Sequence, residues 1–416
     1  MRVLAAAAAI LLAAATPAAA QGVPYYDVRA AFARFDPGYV AQRRAALAKL
    51  EPLMERLFAR EEAGEGLACA DQIGKEARWL VGYTADYARI ARRTADLAAE
   101  LDRAPPTALP DVQQGPEGHW ASCHEEEFFK LSVDFDKFVE LGGKGMAPPV
   151  RPAYLDAYND PDRLRARFVG LMTSDISGGG VNQRRALNEE VSDVMRLILR
   201  DLPVGYAWAP GLKESLKKIL VEDLRDPATG YWGARFVDGD RTVRSADLSV
   251  TFHVVRYLQG DVPDWPRIVD TTLAIRDRRY SQGWQASIGR VNHHLYDVAA
   301  IFRLGWNKVD DARRAAMAGE LKAMLDWTLA DTLGPDGTFK LTEEDDSFEE
   351  AQYFGVALLA AAGLFDADKP YWSDAPYPDA AGIRERVTKR VTALLAAGNG
   401  STGGAYYRSA LDLLGR

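Results

Sequence analysis

Gly230-Tyr231-Trp232-Gly233, Gly283-Trp284 and Asp336-Gly337-Thr338-Phe339 repeat one glycine-plus-aromatic mark between helical stretches. Trp232 and Trp284 lie 52 positions apart, and Trp284 and Phe339 lie 55 apart. Steps of similar size lead back to Gly178-Gly179-Gly180 and to Gly118-His119-Trp120, and a longer step leads forward to Gly403-Gly404-Ala405-Tyr406. A period of this size sets the architecture. It holds two helices of about 15 residues and two loops. The fold expected is all-α, an α/α toroid or barrel of about six helical hairpins, with short β-ribbons at most.

Helical periodicity runs outward from these marks. Val40 to Arg60 places Val40, Leu47, Leu50, Leu53, Met54, Leu57 and Phe58 at three- and four-residue spacings, an amphipathic face. Ala68 to Leu101 reads as a second long pattern, broken by Pro105-Pro106. Glu125 to Leu141 resumes it, until Gly142-Gly143 and Pro148-Pro149 stop it. Further helices are expected over 165–171, 186–199, 212–224, 246–258, 265–275, 295–304, 312–333, 348–365 and 383–397. Short loops between the later ones make successive helices antiparallel neighbours. One strand pair is expected: Arg235-Phe236-Val237 and Thr242-Val243 across Asp238-Gly239-Asp240, because Asp-Gly suits a hairpin turn.

Met1-Arg2, the apolar run Val3 to Ala15 and the small-residue end Pro17-Ala18-Ala19-Ala20 read as a signal peptide over residues 1–20. That run is too short for a lasting membrane span. Residues 21–145 then form an N-terminal helical region, and 146–416 the main toroid. The expected location is periplasmic or secreted, with no stable membrane insertion after signal removal. A net charge of −8 without basic blocks argues against nucleic acid as a partner. In an oxidising compartment the two cysteines, Cys69 and Cys123, invite a disulfide.

Candidate chemistry gathers in the central third. Tyr231, Trp232, Trp284 and Tyr353 offer flat faces for sugar rings in a concave site. Arg235, Arg244 and Arg290 can grip carboxylates. Arg290-Val291-Asn292-His293-His294-Leu295-Tyr296-Asp297 holds two of the five histidines. Asn292 suits a helix N-cap there, and His293 and Asp297 are spaced to share a helix face. The acidic stretch Glu343 to Glu350 and the isolated Asp247 supply carboxyls of the kind glycoside hydrolysis needs. Ser347 there suits an N-cap, with Glu350 three residues on. No metal site or cofactor is expected, and no Gly-x-Ser-x-Gly, phosphate loop, dinucleotide fingerprint or His-Glu-x-x-His occurs.

Asn292-His293-His294-Leu295-Tyr296 resembles the Asn/His/Tyr constellation of the α/α-toroid polysaccharide lyases, such as alginate and chondroitin lyases. The resemblance implies that Asn292 neutralises a uronate carboxylate, His293 or His294 abstracts the neighbouring proton, and Tyr296 protonates the leaving oxygen. In those lyases the tyrosine usually comes from a separate helix, which leaves Tyr280, Tyr231 and Tyr353 as alternatives. The expectation is an exported enzyme cleaving an acidic polysaccharide or oligosaccharide by β-elimination. A glycoside hydrolase of the same fold, using Asp247 and Glu350, and a non-catalytic glycan-binding or periplasmic scaffold protein are the rivals.

Overall fold

The computed structural model describes residues 22–415, apart from 63–64, 66, 104–113, 288, 343–346, 368 and 398–403. The expected signal peptide lies outside the described residues. The chain is mostly helical. In order come α1 (Val28–Phe35), α2 (Tyr39–Glu62), α3 (Ala68–Tyr83), α4 (Tyr87–Asp102), α5 (Glu127–Gly143), α6 (Pro161–Met172), β1 (Thr173–Asp175), α7 (Arg184–Leu199) and α8 (Leu212–Lys218). There follow β2 (Arg235–Asp238), β3 (Arg241–Arg244), α9 (Leu248–Tyr257), α10 (Trp265–Ala274), α11 (Asn292–Gly305), α12 (Asp311–Trp327), α13 (Phe348–Ala361), α14 (Ala380–Ala397) and α15 (Gly404–Leu414). Wide π-type turns, Ile219–Leu224 and Thr328–Thr332, extend α8 and α12.

Two helix boundaries differ from expectation for local reasons. The long pattern from Ala68 to Leu101 is two helices. Thr84 closes α3 through its N–H to the Leu80 carbonyl, and Asp86 opens α4 by accepting from the Arg89 N–H at 3.0 Å. Thr84 also bridges to Val181, so the break is held by a distant strand-like contact. Gly404 of the last mark is the first residue of α15, not part of a loop between hairpins.

The hairpin forms as expected. β2 pairs antiparallel with β3 in the register Asp238↔Arg241, and Gly239 takes φ +67° at the first loop position. The unforeseen partner is β1, parallel to β2 on its other side.

Packing follows a simple order. α5 packs on α7, α7 on α9, α9 on α11, α11 on α13 and α13 on α15. α6, α8, α10 and α12 connect them and pack on that row from alongside, and α14 packs on α15. At the front, α2, α3 and α4 pack on one another, with Cys69 and Cys123 bridged at a Cα separation of 5.4 Å. Closing this loop removes unfolded-state entropy worth about 4 kcal/mol. The 145–162 segment joins α5 to α6, yet a single apolar core runs from Tyr26 to Leu414. No helix among the described residues is long and apolar enough to cross a membrane.

The glycine-aromatic marks seal the joints of this row. Each follows a connecting helix and forms a single antiparallel or parallel bridge: Arg225 with Trp232, Arg279 with Gln285, Leu333 with Phe339. Trp232 Nε1 donates to the Leu220 carbonyl at 2.7 Å and Trp284 Nε1 to the Thr272 carbonyl at 2.9 Å, each twelve residues upstream. The next helix of the row then takes hold of the mark. Thr251 Oγ1 of α9 accepts the Trp232 N–H, and Gln352 of α13 accepts the Phe339 N–H. Gly355 is required beside that ring, because a Cβ there would overlap Phe339. Replacing Trp284, 2% exposed, by alanine is expected to cost about 3–5 kcal/mol. Urea unfolding measures it, and a loss under about 1 kcal/mol would be incompatible with this sealing role.

Candidate functional site

The N-terminal turns of α7 and α9 and the 278–285 loop are tied at one point. Asp247 caps α9 by accepting the Val250 N–H at 3.1 Å. Arg184, in the first turn of α7, donates to both of its oxygens at 2.7 and 2.9 Å. Ser281 Oγ donates to the same carboxylate at 2.6 Å, and the Leu248 N–H reaches the Ser281 carbonyl at 2.7 Å. Bidentate pairing of this kind is strong and directional, and both partners are nearly out of water. The expectation that Asp247 acts as a catalytic carboxyl gives way here. Its oxygens are engaged by Arg184, Ser281 and Val250, and it fixes helices instead.

The α11 start departs from expectation in a similar way. Val291 occupies the N-cap and gives no side-chain cap. Asn292 is the first helical residue and is buried, with its Nδ2 donating to Thr332 Oγ1 at 3.2 Å and its Oδ1 accepting from Thr328 at 3.3 Å. It therefore anchors the π-type turn and presents no amide to a ligand. His294 is buried face to face with Tyr280, centroids 3.6 Å apart. Burial pulls its pKa down to about 2, with His293 adding to the effect, and its Nδ1 finds no hydrogen-bond partner among the described residues. Asp297 is spent on Tyr280, whose hydroxyl donates to Oδ2 at 3.0 Å. Burial holds both the Asp297 carboxyl and the Tyr280 phenol well above their ordinary values.

His293 is half-buried and differs from its neighbour. Its ring stacks on Phe354 of α13 at 3.9 Å and lies 5.9 Å from Tyr280. Tyr296 is buried against Phe252, Tyr353 and Phe354. Tyr353, half-buried on α13, stands between Tyr296 and Tyr406.

The sequence reading missed the residues that complete this wall. Arg256 of α9 is exposed yet walled by rings, its guanidinium 5.4 Å from Phe252, 5.7 Å from Tyr257 and 5.7 Å from Tyr296. It makes no ion pair among the described residues. His253 Nδ1 meets Asn188 Oδ1 at 3.0 Å. Burial drives the His253 pKa well below its ordinary value, and Arg196, Arg256 and His293 reinforce it. Arg184 and Asn188, and Ser249 and His253, recur at four-residue spacing on α7 and α9, helices that are otherwise mostly buried. Polar residues at that spacing were the available signal.

Other expected site residues lie apart from this wall. Tyr231, Trp232 and Trp284 are buried core and offer no face to a sugar. Arg235 donates to the Asp223 carbonyl and Arg244 to the Leu224 carbonyl, both beside the hairpin. Burial lowers the Arg244 pKa. Arg290 is half-buried without an ion pair among the described residues. Glu350 is buried in the first turn of α13, where Ser347 accepts its N–H at 3.1 Å. Glu343 to Asp346 lie outside the described residues. Toward the front of the chain, His119 is held by Asp134 at 2.5 Å and His124 stacks on Phe129. Among the described residues no group of three His, Cys, Asp or Glu is placed to hold a metal ion.

Comparison with protein-family models, curated proteins and solved structures finds no match to this chain.

The buried, neutral His294 makes stability depend on pH with a definite sign. Its folded pKa lies below the unfolded value, so its contribution is complete above about pH 6.5 and falls away as the pH drops. The slope is about 1.4 kcal/mol per pH unit. Urea unfolding between roughly pH 6.5 and 5 is expected to show this slope reduced in His294→Gln relative to wild type. An unchanged slope would contradict the buried neutral ring.

Proposed function

We propose that the row α5–α7–α9–α11–α13–α15 is the inner layer of an α/α toroid. In this reading the protein is an exported enzyme that cleaves a uronate-containing polysaccharide by β-elimination. The observation that carries the reading is Arg256, a cation set among aromatic rings with no ion pair among the described residues, facing the α11–α13 side that holds His293. A guanidinium in a partly desolvated, ring-lined wall attracts a carboxylate more strongly than one in open water. Neutral His253, hydrogen-bonded to Asn188, adds polar contacts without adding a competing charge.

In this reading Arg256 neutralises the uronate carboxylate, which acidifies the adjoining C5 proton. His293 takes that proton, the C4–C5 double bond forms, the C4–O4 bond breaks, and Tyr353 donates a proton to O4. Tyr280 remains bound to Asp297 and positions His294 and the neighbouring loop. Asn292 and Tyr296, which the lyase resemblance assigned to chemistry, support the wall from behind. The role the resemblance gave to Asn292 passes to Arg256, and the acid role passes to Tyr353 on a separate helix.

Steady-state assays of His293→Ala and Arg256→Ala on uronate polymers test this. His293→Ala is expected to lower the rate of ultraviolet-absorbing product by about a hundredfold or more. Arg256→Ala is expected to lower kcat and raise KM, with partial rescue by Arg256→Lys, while both variants keep the wild-type melting temperature. Full activity in both variants would overturn the assignment.

A further inference from the structure

A second, separate constellation lies on the N-terminal helices. A depression of about 270 Å³ is lined by Arg29 of α1 and by Tyr39, Val40, Arg43, Arg44 and Leu47 of α2. None of these residues belongs to the α9–α13 wall. We propose that this depression is a binding site for the carboxylate end of an anionic sugar.

Three arginines line it, in a protein of net charge −8. Arg29, Arg43 and Arg44 make no ion pair among the described residues. Arg43 uses only its Nε, which donates to the Val81 carbonyl at 3.3 Å. The sequence-neighbouring carboxylate, Asp36, is already engaged by the Tyr87 hydroxyl at 3.1 Å and the Gly38 N–H at 2.8 Å. Like charges held together without a counter-charge repel, and an oxyanion placed among them relieves that repulsion.

The second observation is the Tyr39 hydroxyl. Tyr39 is 3% exposed, lines the depression, and its hydroxyl makes no hydrogen bond among the described residues. A buried hydroxyl without a partner costs free energy comparable to a lost hydrogen bond. That oxygen is itself out of contact with solvent, so a ligand oxygen satisfies it only after neighbouring side chains shift. Burial also raises the phenol's pKa, so it remains a donor across the neutral range. The exposed Val40 and the half-buried Leu47 complete the lining with apolar surface, which suits the C–H face of a sugar ring rather than a bare ion.

The oxyanion chemistry stands on these residues alone. The choice of a uronate rests on the polysaccharide substrate proposed above, for which this site would act as a distal anchor of the chain.

Isothermal titration calorimetry on the full protein tests it, in an Arg256→Ala background that silences the wall of α9. Glucuronate, glucose and inorganic phosphate are titrated in parallel. Glucuronate is expected to bind and glucose not. Arg29→Ala/Arg44→Ala, both exposed positions, is expected to weaken glucuronate at least about tenfold without moving the melting temperature. Tyr39→Phe is expected to weaken it more modestly. Undiminished glucuronate binding in the double variant overturns the site, as does equal binding of glucose. Phosphate binding without glucuronate overturns the sugar assignment. In the otherwise wild-type enzyme, Arg29→Ala/Arg44→Ala should raise KM for long polymer and leave kcat unchanged. Glucuronate binding here without polymer cleavage sinks the elimination reading alone, and cleavage without binding here sinks this one alone.

Discussion

The bidentate pair between Arg184 and Asp247 is the interaction on which the rest of the arrangement depends. One carboxylate caps α9, receives α7 through a guanidinium, and receives the 278–285 loop through Ser281. Removing either partner would leave a buried charge alone, a loss of about 3–5 kcal/mol. Its position explains why Tyr280 reaches Asp297 and why His294 lies flat against Tyr280. The pair thereby sets the floor from which His293 projects.

The joints behind this floor repeat one device. A connecting helix ends, an aromatic ring plugs the turn after it, and at Trp232 and Phe339 a polar side chain of the next helix of the row accepts the N–H of the ring's residue. The device uses dispersion and desolvation for stability, and a few directed hydrogen bonds for register. It leaves the helices of the row free to carry polar residues on their remaining face, because stability does not depend on that face being apolar. His253, Arg256 and His293 occupy it.

Much of this was legible in the chain, in the features that are local. The helical periods, the Asp238–Asp240 turn and the cysteine pairing follow from spacing and backbone preference within short windows. The break at Asp86 was missed because the apolar face continues across it, while the cap is a single side chain. Reading the aromatic marks as ligand surface failed for a different reason. A tryptophan beside a glycine looks the same whether it faces a sugar or the Leu220 carbonyl, and only tertiary packing decides. Likewise Arg235, Arg244 and Arg256 are indistinguishable in sequence. The first two meet backbone carbonyls, whereas the last meets rings.

The central claim is that the wall of α9, α11 and α13 performs an elimination on a uronate chain. The most direct measurement incubates the purified protein with a panel of uronate-containing and neutral polysaccharides, following ultraviolet absorbance and reducing ends together. Both signals rising in step on an acidic polymer, and neither on neutral ones, is the predicted result. Reducing ends without absorbance would contradict elimination in favour of hydrolysis. Silence in both, with a melting temperature raised by the polymer, would leave a binding protein in its place.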